Sequence, residues 1–172
     1  KDLRNDVVIV NTVLSVDQDN SPEIAAMIGT SAALSISDIP WNGPIGGVVL
    51  GLVDGEVVIN PDTKQREKSQ MYVTLAGTKE KITMIEAGAN EVPENIMMEA
   101  IKRGHEDIRK IVDFIEEIAR EVGKPKFEYV SFEVPEDLFA AVKELAYDRM
   151  REAVLAVDKQ VRDEKIEKLT QE

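Results

Sequence analysis

Hydrophobic positions along this chain change period several times, and each change predicts a change of element. Residues 7–16 (VVIVNTVLSV) form a nearly unbroken β-branched run, which predicts a strand buried on both faces. After a polar turn at 17–20, Ser21-Pro22-Glu23 has the marks of a helix start. A hydroxyl can cap the first turn, proline loses nothing at the first position, and an acid faces the positive end of the dipole. A helix is predicted over 22–35. Its body carries Ala25, Ala26, Gly29, Ser31, Ala32 and Ala33, a slim profile that lets the axis approach a sheet closely.

Pro40 and the Asn42-Gly43-Pro44 turn end that helix. Residues 45–53 and 56–59 then predict a hairpin about Asp54-Gly55, and 71–76 with 81–86 a second strand pair about Gly77-Thr78-Lys79. The charged stretch 61–69 between them is a loop or a single helical turn. From 93 to 122 the period becomes helical, with Met97, Ile101, Gly104, Ile108, Ile111, Ile115, Ile118 and Val122 on one stripe until Gly123 and Pro125. After an extended aromatic stretch, Pro135 opens a further helix lined by Leu138, Val142, Leu145, Ala146, Met150, Ala153 and Val157, and 158–172 is almost wholly charged. The order predicts an α+β domain over 1–124 and an all-α module over 125–172.

Composition narrows the functional classes. The 172 residues carry 33 acids against 21 bases, a net charge of −12 that repels phosphate backbones and disfavours tight nonspecific nucleic-acid binding by this stretch alone. Without cysteine there is neither a disulfide framework nor a thiolate metal site. No apolar run approaches the roughly 20 residues that span a bilayer, so no membrane partner is expected, and a cytoplasmic segment of a longer protein is.

Candidate chemistry is sparse. His105, the one histidine, stands in Gly104-His105-Glu106-Asp107 without the second histidine of a helical zinc site, which favours a surface position on a charged helix. Lys102, Arg103, Arg109 and Lys110 could touch RNA, but Glu99, Glu106 and Asp107 interleave with them, the pattern of a solvated face. Trp41 beside the Asn42-Gly43-Pro44 turn reads as packing, and Gly46-Gly47 lacks the rest of a phosphate loop.

Five segments, in order and spacing, carry a family resemblance: Asn5-Asp6-Val7-Val8-Ile9, the helix over 24–40, Asn42-Gly43-Pro44-Ile45-Gly46, Leu75-Ala76-Gly77-Thr78 and Gly104-His105-Glu106. Together they resemble the first RNase PH-like domain of bacterial polynucleotide phosphorylases. The resemblance implies an RNase PH-like half-domain with a mixed sheet and packed helices over 1–124, and the start of the helical linker module over 125–172. The parent it implies is a cytoplasmic homotrimer that degrades RNA from the 3′ end with inorganic phosphate, releasing nucleoside diphosphates with Mg²⁺ assistance.

The resemblance also implies where chemistry is missing. In the active copy of the domain, serines at the helix start grip phosphate, and two aspartates six residues apart hold the metal. The matching positions here are Ser21, Pro22 and Glu23, and Arg66 and Tyr72. Proline offers neither hydroxyl nor N–H, Glu23 repels phosphate, and neither Arg66 nor Tyr72 replaces a carboxylate ligand. The expectation is a non-catalytic, architectural part of the parent enzyme, with no catalytic residue, metal or cofactor of its own. The alternatives are a non-catalytic subunit of an exosome-like ring and a first-copy domain with residual nucleotide or phosphoryl-transfer activity.

Overall fold

Four strands pair through three antiparallel ladders: β1 (Gly46–Val53), β2 (Glu56–Ile59), β3 (Met71–Gly77) and β4 (Ile82–Ala89), in the order β2-β1-β3-β4. The computed structural model describes residues 3–172. Asp54 and Gly55 both take positive φ (52° and 84°), the mirror-image turn that matches the twist of a tight hairpin, and glycine adopts it without a steric penalty. Three helices belong with the sheet: α1 (Pro22–Ile36), α2 (Thr63–Lys68) and α3 (Glu94–Val122). They lie within the compact unit Val7–Glu128.

Strand alternation sorts the core onto the two faces of the sheet. Val48, Leu50 and Leu52 of β1 share one face with Met71, Val73 and Leu75 of β3, and Ala100, Ile108 and Val112 of α3 pack against them. On the opposite face, α1 comes so close to β1 that a Cβ on Gly47 would strike the Met27 sulfur. With a helix on each side, β1 is buried from Gly46 through Leu52. The deepest positions of α3 are Ala100, Gly104, Ile108, Val112 and Ile115, while Val122, at the end of the expected stripe, is exposed.

The expected strand at 7–16 does not form. These residues have no regular structure and all are exposed, Leu14 by 92%. A strand exists only through a neighbour that takes its N–H and C=O groups, and among the described residues none lies alongside. The segment is tied to α1 by side chains instead, with Asn11 and Thr30 exchanging hydrogen bonds of 3.2 Å.

The end of α1 is capped from a distance. It has no basic residue in its last turn, and the Lys126 ammonium donates to the carbonyls of Leu34, Ser35 and Ser37 at 2.9, 3.0 and 2.6 Å. A cation at the negative end of a helix satisfies orphan carbonyls and opposes the dipole. Lys126→Met is expected to cost about 1 kcal/mol. A thermal melt followed by the single tryptophan, Trp41, reads the change; an unshifted midpoint would mean that water serves those carbonyls equally well.

The second compact unit comprises residues 3–6 and 129–172. Its apolar stripe was expected to run unbroken to Val157, but α4 ends at Val154 and α5 begins at Lys159 (α4, Glu136–Val154; α5, Lys159–Gln171). Asp158 explains the restart, since its carboxylate accepts from the Val161 N–H at 3.0 Å as an N-cap.

Candidate functional site

The five positions singled out by sequence come from three elements and line one cavity of about 360 Å³. Ser21, Pro22 and Glu23 open α1, Arg66 lies on α2, and Tyr72 lies near the start of β3. Ile24, Ile28, Val49 and Pro61 supply apolar wall, and Gln18, Asp19, Asn20 and Asn60 complete the polar rim. Asn60 is fixed there by β1, with its Oδ1 accepting from the Val49 N–H at 2.9 Å.

The helix start has turned its polar groups on one another. The Ser21 hydroxyl donates to Glu23 Oε2 at 2.6 Å, and its oxygen caps the Ile24 N–H at 3.5 Å. That hydroxyl is the main reason the Glu23 carboxyl titrates below its ordinary value, aided by its own backbone N–H. Pro22 withdraws one N–H from the positions at which a helix start binds an anion.

Arg66 serves as a structural clamp. Its guanidinium donates to the Pro61 carbonyl at 2.8 Å, the Gln18 carbonyl at 2.5 Å and the Thr63 hydroxyl at 3.0 Å, fastening the turn at 17–20 to α2. Asp19 belongs to the same junction and accepts from the Thr63 N–H at 3.2 Å. Thr63, through its hydroxyl first and its N–H second, holds the Asp19 carboxyl below the usual range, and Arg66 and Lys64 add to the effect. Two ionised carboxylates therefore face the cavity beside a guanidinium whose donors are turned into the protein.

Tyr72 is the open aromatic surface of the cavity. In register it lies between Gly51 of β1 and Gly88 of β4, so no side chain flanks the ring on either neighbouring strand, and it is 50% exposed.

The cavity does not fit Mg²⁺. A guanidinium and a phenol stand at the two positions that resemblance assigns to metal-holding aspartates, and Asp19 and Glu23 are the only carboxylates among the described residues of the lining, too few for the oxygen-rich shell that Mg²⁺ takes, with the Arg66 cation in the same lining. Among the described residues no three acid, histidine or cysteine side chains gather as a ligand set.

The basic residues of α3 lie apart from this cavity. Arg103 donates to the Val57 carbonyl and Arg109 to the Lys79 carbonyl, each at 3.0 Å, while Lys110 pairs with Asp107 at 2.6 Å and Lys102 is exposed. Two of the four thus pin α3 to strand and turn backbone. His105 departs from its expected surface position: it is half-buried, with Nε2 3.0 Å from the Thr78 carbonyl, an acceptor that requires the proton on that nitrogen. Sequence reasoning missed Asp19 and Asn60 as lining residues. The Asp17-x-Asp19 turn was a visible signal for the first; Asn60 reaches the site only through its bond to β1.

Residues 43–107 match the family described as "3' exoribonuclease family, domain 2". Over its whole length the chain is 73% identical to the polyribonucleotide nucleotidyltransferase of Ruminiclostridium cellulolyticum and covers 24% of that protein. It is 54% identical to the enzyme of the same name from Caldicellulosiruptor bescii and 52% to that of Clostridioides difficile, again over the full chain and 24% of each relative. The chain thus spans about a quarter of the length of the curated relatives it matches. The fold is also that of the crystal structure of rice (Oryza sativa) Rrp46, with a TM-score of 0.54 at 19% identity, covering 61% of this chain and 51% of that one. Full-length sequence identity and the RNase PH-like fold together place this chain in the polyribonucleotide nucleotidyltransferase family, as a segment of such a protein.

Proposed function

We propose that this chain is a non-catalytic, architectural part of a polynucleotide phosphorylase, whose complete form degrades RNA from the 3′ end with inorganic phosphate and Mg²⁺ and releases nucleoside diphosphates. In this reading residues 1–124 are the second half of the first RNase PH-like domain, residues 125–172 begin the helical linker module, and the parent is a cytoplasmic homotrimer. Ser21, Pro22, Glu23, Arg66 and Tyr72 are the remnants of a reaction centre, and catalysis resides in a second copy of the domain.

One observation carries the reading. At the mouth of α1, where phosphate would bind, Glu23 already places a carboxylate at the positive end of the helix, and the Ser21 hydroxyl is turned onto that carboxylate. Like charge and a spent donor both oppose phosphate entry. RNA reaches the parent mainly through other segments; on α3 the candidates are Lys102, Arg103, Arg109 and Lys110, all exposed, with Arg103 and Arg109 each donating to a backbone carbonyl and Lys110 paired with Asp107. The purified chain, given phosphate, Mg²⁺ and poly(A), is expected to release no ADP. Release that grows with the amount of protein, from material free of full-length enzyme, overturns the proposal.

A further inference from the structure

The cavity of about 360 Å³ keeps its walls, and the side chains facing it favour a different ligand. We infer that it binds a small alkylammonium ion, with a diamine such as putrescine as the simplest member of the class: its cationic heads beside Glu23 and Asp19, its methylenes against Ile24, Ile28 and Val49, and one head over the Tyr72 ring. The inference rests on the reading that this cavity is no longer a phosphorolytic centre.

Three independent features of the cavity agree on that class. The first is charge. Asp19 and Glu23 against Arg66 leave the lining net negative, and the bonds from Arg66 to Pro61, Gln18 and Thr63 anchor its guanidinium on those groups. Thr63 and Ser21 each hydrogen-bond one of the two carboxylates and favour its charged form, and a carboxylate offers several acceptor sites, so each keeps lone pairs for an ammonium.

The second is the apolar wall. Val16, Ile24, Ala25, Ile28, Val49 and Pro61 give a lining that a fully hydrated metal ion or a phosphate would leave unused, whereas a short methylene chain buries area against it. The third is the aromatic surface. Tyr72, with Gly51 and Gly88 at its sides, is a half-exposed ring on which an organic cation can rest, an attraction that an anion would not share. The Asn60 side chain on the rim adds a polar group that is held in place by β1.

The test is a titration of the 172-residue chain with putrescine at fixed ionic strength, read by calorimetry and by backbone amide shifts, with inorganic phosphate and Mg²⁺ titrated separately. Saturable one-to-one putrescine binding is expected, with shifts concentrated at Glu23, Asn60 and Tyr72. Glu23→Gln and Asp19→Asn should each weaken it by about fivefold, and Tyr72→Leu by about threefold. Glu117→Gln, which removes the same charge from an exposed position on α3, should leave it unchanged. The inference is overturned if putrescine does not saturate, if Glu117→Gln weakens it as much as Glu23→Gln does, or if phosphate or Mg²⁺ binds this cavity more tightly. Failure here leaves the ADP-release assay untouched, and ADP release would refute the architectural reading whatever putrescine does.

Discussion

Gly104→Val should lower the stability of the unit Val7–Glu128 by about 3 kcal/mol, the cost of forcing extra methyls into a filled core. Gly104 is where α3 crosses the sheet. A Cβ built there would lie 2.8 Å from Leu50 Cδ2, 3.0 Å from Leu75 Cδ2 and 3.2 Å from Leu50 Cδ1. Both leucines are fully buried, so their methyls have nowhere to go. Alanine introduces the same collision, but it also gains about 1 kcal/mol of helix propensity over glycine and should come out near neutral. Valine adds two further methyls with no such return. Urea unfolding followed by Trp41, which lies in this unit, should show a lower midpoint with an unchanged slope. A wild-type midpoint for Gly104→Val would mean that α3 lifts off the sheet at little cost, and the close crossing would not matter.

Leu50→Ala should cost a comparable amount, about 3 to 4 kcal/mol, by the opposite route. Leu50 is 0% exposed, and its truncation removes apolar contacts on the face that β1 shares with β3 and α3 while leaving a cavity behind. Because its methyls are the atoms that a Cβ at 104 would strike, the two sites should not be independent. In the double variant Leu50→Ala with Gly104→Ala, the new methyl moves toward the vacated volume and recovers part of the loss. Residues in direct contact show coupling of about 0.5 kcal/mol or more, and strict additivity in the double-mutant cycle would contradict the packing described.

Most of the fold was legible in the chain because it is encoded by local rules. Pro22 and Glu23 after a capping Ser21, Asp54-Gly55 between two β-branched runs, and an apolar stripe ending at Gly123 each mark an element without reference to anything distant. Where an element depended on a partner, sequence reasoning overreached. Residues 7–16 have every intrinsic property of a strand, and the structure leaves them unpaired, because a ladder is a property of two segments. The restart of α5 at Asp158 was also within reach, since the N-cap is a local signal, but the charge of the stretch obscured it.

The candidate site divides along the same line. That Pro22 and Glu23 make a poor phosphate grip follows from side-chain chemistry at a helix start, which a sequence displays directly. That Arg66 is committed to Gln18, Pro61 and Thr63, and that Tyr72 is opened by glycines on both neighbouring strands, depends on contacts between residues far apart in the chain.

By itself, then, the sequence determined most of the elements, the family and the chemistry of the Ser21-Pro22-Glu23 helix start, because capping, turn geometry and periodicity act over a few residues. Only the tertiary structure decided that Ser21, Pro22, Glu23, Arg66 and Tyr72 share one cavity, that His105 is half-buried against Thr78, and that two of the four basic residues on α3 are engaged with backbone carbonyls. The physical reason is that charge, burial and hydrogen-bond satisfaction belong to a place in space, and distant segments meet there only after the chain has folded.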